Sequence, residues 1–166
     1  SVDAAPFAQR NPHRLAADIQ RARAEDRRGL RHGAVLRQLL FPRAADGFDH
    51  AGWSAAAWRD ELISPDRHVL ATRDFNGQVV GVATFQTVED VADLHRVVVR
   101  SDVRSQGIGR QLVAAGVEWA EAMGASQMML EVEAGNSAAH HLYSEMGFLP
   151  VHKRVDYYGP GRHALV

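Results

Sequence analysis

The sequence predicts an α+β (mixed α/β) domain built on a central, mainly antiparallel sheet. Three observations support this class: helical and strand periodicities mix along the chain, an Asn-Gly pair joins two β-rich segments, and a strand–helix–strand unit follows. The length of 166 residues and the 46% hydrophobic composition fit one domain with a sizeable core. We predict a single domain over residues 18–166, preceded by an N-terminal extension over residues 1–17.

The N-terminal third contains a predicted strand and two predicted helices. Ile19–Ala24 has the character of a short strand. Asp26 can cap a helix that ends before Pro42. The next helical segment is Trp53–Ile63, and Pro65 ends it because proline cannot continue a helix.

The middle of the chain changes to strand periodicity. His68–Asp74 and Gln78–Thr87 are β-rich and are separated by a segment that contains Asn76 and Gly77, two residue types that tolerate positive φ and favour a hairpin. A third strand is predicted over Leu94–Val99. Its three successive valines are typical of a strand that is buried on both faces.

The second half alternates helix and strand. Over Gly107–Gly124, apolar residues recur at steps of three and four, which predicts an amphipathic helix. These residues are Ile108, Leu112, Ala115, Trp119 and Met123. A strand follows over Gln127–Val132, and then a short helix capped by Asn136 and stopped by Gly147. The chain is predicted to end in a pair of strands, Phe148–Lys153 and Arg154–Tyr158.

Composition excludes several classes of protein. No apolar segment is long enough to span a membrane, and the N-terminus lacks a secretory-signal pattern, so we expect no membrane partner. The chain has no Cys, which excludes disulfides, zinc-thiolate sites and a cysteine nucleophile and is compatible with a cytoplasmic location. The nine histidines show no ligand spacing, so we predict no metal site.

Charge is distributed unevenly although the net charge is −1. Residues 1–43 contain nine Arg and four acidic residues, whereas residues 44–93 contain three Arg and nine acidic residues. Such asymmetry is compatible with a binding surface or with a solvated acidic face in a chain biased towards Arg.

The loop between the valines and the long helix has the richest chemical pattern. It leads from a strand into a helix N-terminus, where unpaired N–H groups and a partial positive charge suit a phosphate. Gly107 and Gly109 allow close approach of the backbone, and Arg104 or Arg110 can add a charge-assisted contact. The spacing fits neither a dinucleotide fingerprint, whose third Gly would replace Leu112, nor a Walker loop. Taken alone, it is equally compatible with a tight turn.

Further motifs accompany this loop. Arg-x-x-Gly-x-Gly after a hydrophobic strand resembles the acyl-CoA pyrophosphate loop of the GNAT acetyltransferase superfamily. The downstream segments resemble the second half of that superfamily and, in the last of them, its RimI branch, the protein N-terminal alanine acetyltransferases. They are Leu130-Glu131-Val132, Asn136-Ser137-Ala138-Ala139, Leu142-Tyr143, Gly147-Phe148 and Arg154-Val155-Asp156-Tyr157-Tyr158. The resemblance covers roughly residues 19–166 and is strongest over 94–158.

The resemblance implies the GNAT fold and acetyl-CoA as the acetyl donor. It also implies a set of donor-binding residues, in which backbone groups of Val97 and Val99 hold the acetyl and pantetheine parts. The set is Val97, Val98, Val99, Arg104, Ser105, Gln106, Gly107, Ile108, Gly109, Arg110, Asn136 and Tyr143. The valine side chains alone are also compatible with a core strand, and a helix cap alone would explain Asn136.

By the same resemblance, Glu131 is the general base and Tyr143 is the general acid towards the CoA thiolate. Strand alternation is also compatible with Glu131 and Glu133 both facing solvent, and Tyr143 with ordinary packing. The amine would attack the thioester directly in a ternary complex, because no covalent enzyme intermediate is needed and no Cys is present.

The implied acceptor is the N-terminal α-amine of a protein, in this branch a protein of the small ribosomal subunit, and no direct nucleic-acid partner is implied. Acidic residues such as Glu89 and Asp90 can attract a basic peptide. His95 and Arg96 can line the acceptor cleft or pair with surface acids. The chain departs from the family pattern at Asp156, where Asn is usual, on the expected peptide side. The alternatives are a small amine as acceptor and a non-catalytic acyl-CoA-binding module.

Overall fold

A four-stranded sheet is the centre of the computed structural model, which describes residues 55–64 and 66–166. Its strands are β1 (Arg67–Arg73), β2 (Val79–Val88), β3 (Val91–Val99) and β4 (Gln127–Leu130), in the order β1-β2-β3-β4. The first three strands are antiparallel neighbours, whereas β4 runs parallel to β3. The predicted α+β class with a mainly antiparallel sheet is therefore confirmed.

Within the described residues, three α-helices accompany the sheet: α1 (Ala55–Ile63), α2 (Ile108–Ala122) and α3 (Ser137–Glu145). Helix α2 buries one face against the sheet because its apolar residues recur with helical spacing. The closest approach is at Gly116, where a Cβ atom would lie 2.0 Å from Cζ of Phe85. Phe85 is fully buried, and side chains of this size each contribute about 1.5–3 kcal/mol when removed from water.

None of the helices that the structure describes is long and apolar enough to cross a membrane.

A second, smaller sheet forms at the C-terminal end. It contains β5 (Val132–Glu133), β6 (Lys153–Arg154) and β7 (Ala164–Leu165), with β7 between the other two and antiparallel to both. The prediction of a single strand over Gln127–Val132 is wrong. The strand is interrupted at Glu131, and the segments before and after this residue belong to different sheets. The pairing partners, β3 and β7, are distant in sequence, so local pattern does not reveal the break.

The predicted hairpin between β1 and β2 is confirmed, with a turn that uses only one positive φ. Gly77 has φ of 78°, whereas Asn76 is outside the left-handed region. The Asp74 carboxylate accepts hydrogen bonds from the N–H groups of Asn76 and Gln78 at 2.9 and 3.0 Å. This is the three-residue loop that ends in a left-handed glycine, not a two-residue Asn-Gly turn.

The helix signals of the second half are confirmed. Gly107 precedes α2 with φ of 82°, and Gly124 and Gly147 follow α2 and α3 with φ of 91° and 87°. The Asn136 side chain caps α3 by accepting a hydrogen bond from the Ala139 N–H at 3.1 Å.

Three expectations about burial and strand ends are wrong. Met123 is exposed at the end of α2, since it lies beyond the face that meets the sheet. The three valines of β3 are half-buried, because β4 does not accompany them. The last strand is Ala164–Leu165, and most of Arg154–Tyr158 is a turn.

Several predictions lie outside the described residues. They are the extension over residues 1–17, the strand Ile19–Ala24, the helix capped by Asp26, and the first residues of the Trp53–Ile63 segment.

Candidate active site

The parallel strands β3 and β4 separate halfway along β3. Their pairing ends at Leu94 and Leu130, whereas β3 continues beside β2 as far as Val99. Five residues of β3, from His95 to Val99, therefore have an edge that no described strand covers. A cleft of about 520 Å³ lies at the point of separation. Its lining residues are Asp93, Leu94, His95, Met129, Leu130, Glu131, Tyr157, Tyr158 and Val166.

The open edge of β3 presents backbone polar groups of two valines. The Arg100 N–H donates a hydrogen bond to the Val80 carbonyl of β2 at 2.9 Å. Since N–H groups alternate between the two edges of a strand, those of Val97 and Val99 face the open edge and that of Val98 faces β2. The two valines named for acetyl and pantetheine binding thus direct their main-chain N–H groups to the open edge, whereas the main chain of Val98 belongs to the sheet.

The loop from β3 to α2 places a helix N-terminus beside this open edge. Arg104 Nε donates to the Val99 carbonyl at 3.0 Å, which ties the loop to the strand. Ser105 and Gly107 both adopt left-handed conformations, with φ of 60° and 82°. Gly107 has no side chain, so the residue before α2 provides no side-chain cap for the first N–H groups of the helix, those of Ile108, Gly109 and Arg110.

Three further features of this loop concern its packing and charge. At Gly109 a Cβ atom would contact Leu142 at 3.5 Å, so the start of α2 lies close to α3. The Arg110 guanidinium lies 3.9 Å from the Glu145 carboxylate, and the Gln106 side chain is exposed. Arg100, the third arginine of the region, forms an ion pair with Asp102 at 2.6 Å, so part of its charge is already neutralised.

Glu131 lies in the break between β4 and β5 and lines the cleft. Its carboxylate forms an ion pair with Arg154 of β6. The Arg154 guanidinium also lies over the Tyr157 ring, 3.7 Å from the ring centroid, as in a cation–π contact. The break in the strand therefore aims Glu131 into the cleft. Glu133, for which alternation predicts the same face, pairs instead with Arg162 at 2.7 Å.

Tyr143 lies on α3 and packs edge-to-face with Phe148, with ring centroids 5.8 Å apart. Burial, with a further contribution from Tyr158, raises the pKa of the Tyr143 phenol to about 12, although Arg96 opposes the shift. The hydroxyl is therefore protonated at neutral pH, as a proton donor must be. Asn136, at the start of the same helix, uses its side-chain oxygen as a cap.

Tyr158 links these groups electrostatically. Burial raises the pKa of the Tyr158 phenol, and the negative charge of Glu131 adds to the effect. Because Tyr158 also acts on Tyr143, it lies within electrostatic reach of both candidate catalytic groups. Sequence reasoning did not identify this position, since Tyr158 is brought there by a turn that was predicted to be a strand.

The acidic residues of the middle segment divide into two groups. Asp93 lines the cleft, whereas Glu89 and Asp90 lie in the turn before β3 and are absent from the lining. Asp90 accepts a hydrogen bond from Ser126 at 3.1 Å. In the turn after β6, the Asp156 carboxylate accepts the Gly161 N–H at 2.7 Å. The side chain at this position therefore holds the conformation of the loop, a role that the side-chain oxygen of Asn could also fill.

Comparison with known proteins agrees with this geometry. Residues 34–148 match the model of the family described as Acetyltransferase (GNAT) family. The ribosomal protein bS18-alanine N-acetyltransferase of Escherichia coli (strain K12) is 37% identical over 83 residues, which cover 50% of this chain and 56% of that protein. The L-methionine sulfoximine/L-methionine sulfone acetyltransferase of Pseudomonas paraeruginosa is 34% identical over 102 residues, with 55% and 56% covered.

The fold of this chain is also similar to that of solved structures. The crystal structure of the ribosomal-protein-S18-alanine N-acetyltransferase from Escherichia coli superposes with a TM-score of 0.63 and 28% identity, covering 72% of this chain and 77% of that chain. The present chain spans about half the length of the curated relatives it matches, 56% for both of those named above.

Proposed function

The chain belongs to the GNAT acetyltransferase family, and we propose that it transfers an acetyl group from acetyl-CoA to the N-terminal α-amine of a protein. The proposed acceptor is of the ribosomal-protein type. The similarity to a ribosomal protein bS18-alanine N-acetyltransferase supports this acceptor, as does the Arg154–Tyr158 segment, of which Tyr157 and Tyr158 line the cleft. The reaction is a direct attack of the amine on the thioester in a ternary complex.

The observation that carries the proposal is the electrostatic contact of Tyr158 with both Glu131 and Tyr143. A carboxylate and a protonated phenol both lie within electrostatic reach of this residue, near the point where β3 and β4 separate. Amine acetylation needs these two groups, one to accept a proton from nitrogen and one to donate a proton to sulfur. A non-catalytic binding module would need neither.

The residues that face the open edge of β3 fit acetyl-CoA. The main-chain groups of Val97 and Val99 can bind its amide-containing arm, and the N–H groups at the start of α2 can bind its pyrophosphate. Arg104 and Arg110 supply nearby positive charge. Acetyl-CoA, when bound, supplies an activated acetyl group as a thioester. The helix packing at Gly109 keeps Val99 and Leu142 close, so the donor side is bordered by apolar side chains.

The protein groups then have separate roles. Glu131 takes a proton from the acceptor nitrogen, and the Arg154 guanidinium orients its carboxylate. Tyr143 donates its proton to the departing sulfur, because burial keeps the phenol protonated. No side chain forms a covalent bond to the acetyl group, which agrees with the absence of Cys.

A small amine is the second candidate acceptor, because the methionine sulfone acetyltransferase named above is 34% identical to this chain. An α-amino acid and a peptide N-terminus share the reacting α-amine, so the cleft residues do not by themselves distinguish them. The two acceptors differ beyond the α-carbon, where an amino acid has a free carboxylate and a peptide has the rest of its chain.

The deciding experiment measures thiol release from acetyl-CoA with a panel of amines. The panel contains a peptide that begins with Ala, the same peptide already N-acetylated, methionine sulfone and spermidine. We expect rapid turnover with the first peptide and none with its acetylated form. Preference for methionine sulfone would replace the protein acceptor by an amino acid. Donor binding without turnover on any amine would favour a binding module.

A further inference from the structure

A β-bulge in β3 places His95 at the head of the cleft. Thr84 of β2 pairs with Arg96, and the next residue, Phe85, pairs with Leu94, so His95 is an extra residue without a partner in β2. Bulges commonly redirect a side chain beside an active site. The bulge coincides with the last pair between β3 and β4, and His95 lines the cleft together with Glu131.

The buried carboxylate of Glu61 contacts one nitrogen of the His95 imidazole. Nδ1 of His95 lies 3.3 Å from Oε1 of Glu61 in α1, and Oε2 of Glu61 accepts a hydrogen bond from Arg67 Nε at 3.0 Å. Burial acts to raise the pKa of Glu61, but its contacts with His95, Thr84 and Arg67 outweigh burial and lower it. Glu61 is only 7% exposed and is therefore a charged group inside the protein.

This contact fixes the orientation of the imidazole. With Nδ1 turned towards Glu61, Nε2 lies on the other side of the ring. The His95 side chain is 24% exposed, so a group in the cleft can reach it.

Extending the proposed acetyl transfer, we propose that His95 is a second proton acceptor for the acceptor amine and that Glu61 is its positioning residue. An ammonium group must lose two protons to become an amide, one before attack and one as the C–N bond forms. Glu131 accepts one of these protons, and His95, which lines the same cleft, can accept the other. The first N–H bond breaks, its electron pair stays on nitrogen, and the proton moves to Nε2.

The remaining steps balance the protons. The nitrogen attacks the acetyl carbon, the C–S bond breaks, and the second proton moves from nitrogen to Glu131. Tyr143 protonates the sulfur and regains its proton from Glu131. His95 releases the first proton to solvent, so one ammonium and one thioester yield one amide, one thiol and one proton.

Several titratable groups surround His95 and enter any pH profile. Glu61 contacts it from α1 and is itself paired with Arg67 of β1. Arg96 follows it on β3. The groups that share the cleft with it are Asp93, Glu131, Tyr157 and Tyr158.

The test compares the pH dependence of kcat/KM for the Ala peptide in wild type, His95→Gln and a matched control. The control is His141→Gln, which removes an exposed imidazole that lies 3.4 Å from Glu145. We expect the wild-type kcat/KM to rise with pH, because a proton acceptor must be unprotonated before it can act. His95→Gln should lower kcat/KM by about 100-fold and abolish this rise. His141→Gln should retain both.

Glu61→Gln provides a second kinetic test, whose expected result would not follow if His95 had only a structural role. Loss of the carboxylate that positions Nδ1 should lower kcat, with the KM for the peptide nearly unchanged. Thermal melting checks that the variant folds, and if it does not, His95→Gln decides alone. An unchanged rate and profile in His95→Gln would overturn the proposal. If instead wild type fails to turn over any amine, the proposed acetyl transfer fails, and the role of His95 with it.

Discussion

The two sheets that the structure describes are stabilised in different ways. In the four-stranded sheet, Val79–Phe85 of β2 is buried without interruption, and α2 covers it. In the three-stranded sheet each strand has two residues, and only Val132 and Ala164 are buried. Ion pairs take the place of a core there, from Arg154 to Glu131 and from Arg162 to Glu133.

This difference separates the two substrates of the proposed reaction. The open edge of β3, which fits the acetyl donor, is part of the apolar sheet and depends on exclusion of water. The cleft for the acceptor is bordered by Glu131, Tyr157 and Tyr158, whose positions depend on exposed charged contacts. Exposed ion pairs are weak and are screened by salt. We therefore expect a rigid donor side and an adjustable acceptor side.

Tyr143→Phe should have the largest effect, because Tyr143 lies on the donor side and acts in the chemical step. Loss of a general acid lowers kcat by about 10²- to 10⁴-fold, and the KM for the peptide should be nearly unchanged. Burial raises the pKa of Tyr143 to about 12, so no loss of wild-type rate below about pH 10 comes from this group. Initial rates at saturating acetyl-CoA give both constants.

A donor thioester with a more acidic thiol is the control for Tyr143→Phe. Its thiolate leaves without needing the phenol proton, so the variant should lose much less activity with it. An equal loss with both donors would show that Tyr143 has a packing role alone.

Gly116→Ala should have the next largest effect, because it disturbs the packing of α2 against the apolar four-stranded sheet. The added Cβ would lie 2.0 Å from Phe85, so helix α2 must move away from the sheet. Overpacking of this kind costs about 1–3 kcal/mol in the free energy of unfolding. Thermal or urea unfolding measures it. Gly135→Ala is the matched control, because its Cβ would meet nothing within 4 Å.

Much of the donor side could be predicted from the sequence, because its signals are local. The spacing of Ile108 and Leu112 predicts the buried face of α2, and both are buried. The roles of Gly107 and Asn136 at helix starts follow from residue type and position. Each of these features depends on residues within one or two turns of the chain.

The acceptor side could not be predicted in the same way, because its contacts join residues far apart in sequence. The break at Glu131 exists because β5 pairs with β7, more than thirty residues later. The bulge at His95 depends on the register between β2 and β3, and its partner Glu61 comes from α1. No local pattern distinguishes these arrangements from a continuous strand.

Asn136→Ala should cost about 1 kcal/mol in the free energy of unfolding, because the Asn136 side chain accepts the Ala139 N–H. Asn136→Ser should restore most of this stability, since Ser is also a good cap. The two variants distinguish the cap from a contact with the donor. If the KM for acetyl-CoA is raised in both variants, the amide also contacts the donor; if it recovers with Ser, the cap is the whole role.

Arg162→Gln should have the smallest effect, and it should be confined to the acceptor. Arg162 binds both oxygens of Glu133 at 2.7 Å and so fastens the turn that carries Tyr158 to β5. Since the pair is exposed, we expect the peptide KM to rise only about two- to fivefold, with kcat and the KM for acetyl-CoA retained.

The salt dependence of the peptide KM tests the contribution of the Arg162–Glu133 ion pair more directly. High salt should raise the wild-type peptide KM towards that of Arg162→Gln, because screening weakens the same contact, and should change the variant less. Arg73→Gln is the control, since it removes a guanidinium contact to the Gly77 carbonyl in the β1–β2 turn, outside the cleft lining. If Arg162→Gln changed the KM for acetyl-CoA as strongly as that for the peptide, the two sheets would not serve separate substrates. The ion pairs of the small sheet would then support the whole site.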